Sequence, residues 1–330
     1  MNELVFFLNK AVIAGAIIGS VYALGAIGVS LIFGILRFAH FAHGDLMTLG
    51  AFVTLILASL MAVAGIPSPV PLALLALVPA MALTAMIAIG LDQIFYKPLR
   101  EAGARPVVLV IASLGVTLML QGLIRLFAGV GSRDMYVNGP KAIFTIPVPG
   151  ATRPIVVSEP QLALFAVTAI AVFALHRFLT RTRLGKAMRA VADNPQLAAI
   201  TGIDTASVVR ATWIIGGGLA CAAGTLLSMD VTLKPDLSFN ILLPIFAATI
   251  VGGIGQPYGA IAGGFLVGFC ETLAVFNWAI LLRPLADYLP FIIPADLALV
   301  PTEYKLMIPF IILIIVLIYR PTGIFKGKVF

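Results

Sequence analysis

The sequence predicts an all-α polytopic membrane protein with about eight or nine transmembrane helices, and three observations predict it. Apolar residues fill 61% of the 330 positions and charged residues only 11%, whereas a soluble domain carries about a quarter charged residues. Apolar runs recur at the length that crosses a bilayer core, roughly 20 residues. The charges lie almost entirely between those runs, and the mean hydropathy is +1.11.

The runs occupy 11–36, 46–65, 71–94, 106–128, 160–178, 207–229, 240–251, 257–281 and 305–319. The first follows Lys10 and far exceeds the apolar core of a cleaved leader, so it reads as a retained span. The seventh is short and contains Pro244. It either crosses or dips in and turns at Gly252-Gly253-Ile254-Gly255, since irregular backbone at membrane depth must be satisfied by protein or a water-filled cavity. Gly15/Gly19, Gly259/Gly263 and Gly264/Gly268 stand four apart, and Gly216-Gly217-Gly218 with Gly224 mark another run. Such spacing lets helix backbones approach closely. Close packing is the main expectation for these glycines, with a solute path as the alternative.

Orientation follows from the Lys/Arg distribution. Taking alternate connections, one side holds Arg37, Lys97, Arg100, Arg105, Arg177, Arg181, Arg183, Lys186, Arg189, Arg210, Arg320, Lys326 and Lys328, thirteen of the 21 basic residues, against five acids. The other side holds eight basic residues and eight acids. The net charge of +7 is therefore a topology signal and not a nucleic-acid footprint. It predicts an N-terminus outside, a cytoplasmic C-terminus, and 240–251 as a crossing. The whole chain, 1–330, reads as a single transmembrane domain. Its outer connections 129–159 and 282–304 are proline-rich, either packed loops or a docking surface for a soluble partner.

Chemistry-bearing patterns are sparse. The nearest approach to a P-loop, Gly185-Lys186, has Thr180 in place of the first glycine and Ala187 where Ser or Thr is needed, so ATP must be bound by another chain. No hydrolytic constellation occurs. His40, His43 and Asp45 are close enough to share a metal, but with no fourth candidate they read as a capped turn at the membrane surface. No metal site is expected. Cys221 and Cys270 fall inside apolar runs and read as buried thiols. Glu271 is the clear ionisable residue within a span. One acid is too few for a relay, which leaves a pathway role or a hydrogen bond to an unwound neighbour near Gly252–Gly255. Ser20, Tyr22, Ser30, Ser113, Thr117, Gln121 and Asn277 are candidate pathway groups, joined by Gly252, Gly253 and Gly255 at the interrupted region. A stand-alone secondary transporter is the alternative. It would show inverted repeats, and the interruption at 240–257 has no counterpart in the first half.

The basic insert at about 180–206 is the most structured polar feature. Asn194 suits an N-cap, Pro195 the first helical position and Gly202 the left-handed position after the end. They delimit a two-turn helix, Pro195–Thr201, too short to stand alone. Arg183–Ala192 reads as a helix ahead of it. A short capped helix between two longer ones is suited to a groove on another protein.

The chain resembles the permease subunits of branched-chain amino acid-type ABC importers over nearly its whole length. The resemblance rests on Gly19-Ser20-Val21-Tyr22-Ala23-Leu24, Phe41-Ala42-His43-Gly44-Asp45 with Leu49-Gly50-Ala51, and Gly185 through Asp204. It rests further on Gly252-Gly253-Ile254-Gly255 with Gly259–Gly264 and Glu271, and on Arg320-Pro321-Thr322-Gly323-Ile324-Phe325. It implies a transport subunit that is no enzyme, sits in a bacterial inner membrane and binds no cofactor itself. ATP and Mg would belong to two ATPase subunits. A second permease, copy or relative, and an extracytoplasmic solute-binding protein would complete the complex. It also implies that 185–204 docks on the ATPase, through Asp193, Asn194, Pro195, Gln196, Leu197, Ala198 and Gly202. The implied solute is a branched-chain or related amino acid. Two departures are His40, where the family commonly has Asn, and the longer segment 282–304.

Overall fold

The structure, a computed structural model, describes residues 1–137, 139–284 and 294–325. Residues 285–293 of the expected outer segment, with Asp287 and Pro290, lie outside the described residues, as do Lys326 and Lys328. Seven helices are long and apolar enough to cross a membrane. They are α1 (Asn2–Leu36), α2 (His43–Val63), α3 (Leu72–Glu101), α4 (Pro106–Ala128), α5 (Glu159–Arg181), α8 (Thr205–Asp230) and α10 (Pro257–Val275). Between α5 and α8 lie α6 (Arg183–Asp193) and α7 (Pro195–Ile200). Two shorter apolar helices, α9 (Phe239–Gly252) and α11 (Met307–Tyr319), complete the bundle.

Three spans differ from their expected limits for identifiable reasons. α1 extends back to Asn2 through a π turn at Leu8–Ile13, making 35 residues, about 52 Å at 1.5 Å per residue. α3 runs on past Asp92 to Glu101, because Arg100 forms a bidentate pair with the Asp92 carboxylate at 2.6 and 3.0 Å within the same helix. α10 ends at Val275, where Phe276 turns extended.

The all-α expectation misses a strand pair. β1 (Ile143–Ile146) and β2 (Ile155–Ser158) form an antiparallel hairpin with Ile143 opposite Ser158. The β-branched run Ile155-Val156-Val157 favours extended backbone, and Ser158 then starts α5 with a capping box closed by Gln161. This hairpin marks one end of the bundle, the hairpin end. Arg37, Arg100 and Arg189 mark the other, the basic end.

α1 and α8 are buried along most of their length and form the centre, while α5 is the most exposed span. α10 packs antiparallel on α1 through the expected glycines. A Cβ on Gly264 would stand 2.5 Å from the Ala23 nitrogen, and one on Gly268 would strike the Gly19 backbone. Gly263 abuts the Ala248 carbonyl of α9 in the same way. These glycines therefore face protein backbone, which is the packing role. α9 carries the chain from the hairpin end, where Asp230 bonds Lys141, to the basic end, where Gly255 lies on Gly34.

Candidate translocation path and docking helix

At the basic end the insert folds as its sequence predicts. Thr182 caps α6 by accepting from Gly185 N at 2.9 Å, and Asn194 caps α7 by accepting from Leu197 N at 3.0 Å. Gly202 closes the motif at φ +82°, with Ile203 N bonded back to the Ala198 carbonyl. Asp204 then caps α8 by accepting from Ala206 N at 3.0 Å, and its hydrogen bond from Ser207 holds the carboxyl below the usual carboxylate range. Gly185 is fixed by sterics, since a Cβ there would stand 2.7 Å from Leu179 Cα on the last turn of α5.

The faces of α7 differ. Ala198 turns inward at 4% exposure and seats the helix on the bundle, whereas Leu197 is 58% exposed and Ile200 83%. Asp193, Asn194, Pro195 and Gln196 are exposed beside them. Of the expected docking residues, Ala198 is thus the one buried against the bundle. A connection absent from the sequence reading ties this segment to the core: Arg37, left-handed at φ 60°, donates from Nη2 to the Ala192 carbonyl at 2.6 Å. It links the end of α1 to the last turn of α6.

The candidate pathway residues occupy three separate places. Gly252, Gly253 and Gly255 lie at the basic end. There Ile324 N and Phe325 N bond the carbonyls of Val251 and Gly252 at 2.9 and 3.1 Å. Gly323 packs on Gly253, and Gly252 abuts Gly259. The irregular backbone is thus satisfied by the tail that carries the Arg320–Phe325 block. Gly255, with Ser30, Gly34, Arg189, Asp193 and Tyr258, lines a cavity of about 230 Å³.

Tyr22 and Glu271 meet toward the hairpin end. Tyr22 Oη donates to Glu271 Oε2 at 2.7 Å, and Lys305 Nζ pairs with Oε1 at 3.0 Å. Glu271 is 2% exposed, and the Lys305 side chain 33%. Of the two alternatives for Glu271, the hydrogen bond to the Gly252–Gly255 region is not made, because Glu271 lies near the far end of α10 from it. The sequence counts Lys305 among the basic residues of the outer side, at the first position of the run 305–319. Its position at the head of the last apolar run was the available signal. Ser20 is buried two residues from Tyr22.

Ser113, Thr117 and Gln121 form a third group, at four-residue spacing on the buried face of α4. Ser113 accepts from Phe41 N at 3.2 Å and so holds the connection 37–42. That connection does not lie at a surface: His40, His43 and Asp45 are all buried. The His43 ring rests on Gly28, two turns inside the end of α1, and His40 Nε2 is 3.1 Å from Tyr96 Oη, beside the stacked Tyr96–Trp213 pair. The capped surface turn expected here is instead the buried start of α2, reached through irregular backbone at 37–42. Among the described residues no group of three His, Cys, Asp or Glu could hold a metal. Both cysteines are free, Cys221 buried and Cys270 half-buried.

The family model described as branched-chain amino acid transport system / permease component matches residues 11–317. The high-affinity branched-chain amino acid transport system permease protein BraD of Pseudomonas aeruginosa is 32% identical, covering 98% of this chain and 97% of its own. LivH of Escherichia coli, with the same description, is 29% identical over the same shares. A probable branched-chain amino acid transport permease protein LivH of Methanocaldococcus jannaschii is 29% identical over 82% of each chain. No solved structure matches.

Proposed function

Because this chain belongs to the family of branched-chain amino acid transport permease components, we propose that it forms the translocation path of an ABC importer for a small aliphatic amino acid. The relatives' printed descriptions support the solute class. The chain sits in the cytoplasmic membrane of a bacterium with its basic end inside, following the excess of Lys and Arg there. α9 and α11 complete nine crossings, helped by the segments that flank them. The partners are a second permease, two ATPases that hold ATP and Mg, and an external binding protein.

One observation carries the coupling step: a two-turn helix, capped at both ends, presents the exposed apolar side chains Leu197 and Ile200 at the basic end. Exposed apolar residues with a rigid base mark a protein contact. We assign α7 to a groove of the ATPase, so that closure of the ATPase pair moves α7. Arg37 relays that movement from α6 to α1, and α1 carries Tyr22 against Glu271. The test is co-purification and uptake with candidate ATPases. Leu197→Arg with Ile200→Arg is expected to abolish both while the permease still folds. Retention of both ATPase binding and uptake refutes the docking role. Pro195→Arg alone probes the rim, whereas Ala198→Arg would disturb packing.

A further inference from the structure

Ser30, near the basic end of α1, is fully buried, and its hydroxyl has no hydrogen-bond partner. A serine or threonine inside a helix can donate to the carbonyl four residues back. Thr54, Thr212, Ser228 and Thr249 all do so here, at 2.6–2.9 Å. Ser30 does not. Its residue lines instead the cavity of about 230 Å³ that α1 shares with α5, α6 and the start of α10. A buried hydroxyl without a partner is costly, so its place in a cavity wall points to a ligand contact.

The rest of the lining says what that ligand is. Leu31 and Ile35 of α1, Leu179 of α5 and Met188 of α6 supply aliphatic walls. Arg189 stands beside Met188 in the same lining, and no ion pair among the described residues includes it. Gln256 and Tyr258 add polar groups from the start of α10, with Tyr258 Oη placed 2.9 Å from His176 Nδ1. Asp193 also lines the cavity but is already engaged within the protein, so the charge left over in the lining is positive. The volume is below the roughly 300–1,000 Å³ of sites for drug-sized ligands. The stretch from Ser30 to Leu36 spans roughly 9 Å of helix, deeper than the short acidic side chain of a docked protein reaches. Aliphatic walls, an unpaired guanidinium and an orphaned hydroxyl complement a small aliphatic carboxylate.

We propose that this cavity is an inner binding site for the imported aliphatic amino acid, which it holds by the carboxylate through Arg189, Ser30 and Gln256. The proposal rests on the solute reading above and adds a regulatory consequence. A carboxylate held there joins α6, which carries Arg189, to Ser30 of α1 and Gln256 at the start of α10. Movement of α7 must carry α6 with it, so an occupied cavity restrains the coupling step. Accumulated amino acid therefore slows its own import.

The test is the initial rate of labelled leucine uptake by the complete complex in proteoliposomes, with unlabelled leucine sealed inside at increasing concentration. The rate at each concentration is divided by the rate of the same variant in empty vesicles. In the wild type this ratio is expected to fall as internal leucine rises. Internal 4-methylpentanoate, which keeps the carboxylate, is expected to act likewise, and 3-methylbutylamine, which lacks it, is not. Arg189→Gln is expected to raise the half-inhibiting concentration about 10- to 100-fold, the worth of a hydrogen bond to a charged group. Gln256→Ala is expected to raise it about fivefold, the worth of a neutral one. Ala192→Leu fills the cavity from a half-buried wall position and is expected to abolish the response. Equal inhibition by 3-methylbutylamine overturns the site. So does a loss confined to Arg189→Gln and accompanied by lost ATPase co-purification, which assigns Arg189 to docking. A wild-type complex that imports no aliphatic amino acid overturns the solute reading and this site together. Import that internal leucine leaves unslowed overturns this site alone.

Discussion

Tyr22→Phe removes one oxygen and leaves the volume of a buried ring almost unchanged. In the native protein that oxygen donates to Glu271 at 2.7 Å, and Lys305 occupies the other carboxylate oxygen at 3.0 Å. A hydrogen bond to a charged group contributes about 1.5–3 kcal/mol, and its loss leaves a buried acceptor unpaired. Tyr22→Phe is therefore expected to destabilise by about 2 kcal/mol. Lys305→Met removes the opposite charge. Breaking a fully buried pair costs about 3–5 kcal/mol, but Lys305 is a third exposed, so solvent screening reduces the expected loss to about 1–2 kcal/mol. The two effects share one carboxylate. In a Glu271→Gln background the Tyr22→Phe loss should shrink below about 1 kcal/mol, the value of a neutral hydrogen bond. Thermal unfolding of the detergent-solubilised protein, followed by tryptophan fluorescence, measures each corner of the cycle. For a chain of 330 residues, a loss of about 2 kcal/mol corresponds to a drop in midpoint of roughly 3 °C. Equal shifts for Tyr22→Phe in the wild-type and Glu271→Gln backgrounds would refute the shared network.

Two other changes separate packing from local propensity. Gly264→Ala is expected to destabilise by about 1–3 kcal/mol, because its Cβ meets Ala23 backbone at 2.5 Å and overpacking costs that much. Gly122→Ala, with nothing within 4 Å, should instead stabilise α4 by up to about 1 kcal/mol through helix propensity; the same unfolding assay reads both signs. Asn194→Ala should cost about 1 kcal/mol of local stability by removing the cap of α7, seen as faster amide exchange at Leu197 with little change in the spans.

Much of the fold was legible because single side chains encode it locally. The apolar runs set the spans, and Asn194, Pro195 and Gly202 set the limits of α7 to within one residue. The helix ends of α1 and α3 were not legible, since a π turn and the Asp92–Arg100 pair carry the helices past charges that usually end a span. The hairpin of β1 and β2 escaped notice because four-residue strands hardly register against prolines. The site was less legible than the fold. Ser113, Thr117 and Gln121 showed their common face through spacing alone, but Asp45, which Thr117 and Gln121 approach, read as part of a surface turn.

By itself the sequence determined the solvent, the family, the charge asymmetry and the capped helix, all of which follow from composition or from contacts within a few residues. Only the tertiary structure decided which polar groups meet. Tyr22 finds Glu271 across 249 residues, Lys305 neutralises that acid from the head of another helix, and Arg37 reaches Ala192 across 155 residues. Asp45, by contrast, is buried with no donor in place. Partnership in a bundle depends on helix rotation and depth, which the close approach of Gly264 and Gly268 to α1 sets and no local pattern records.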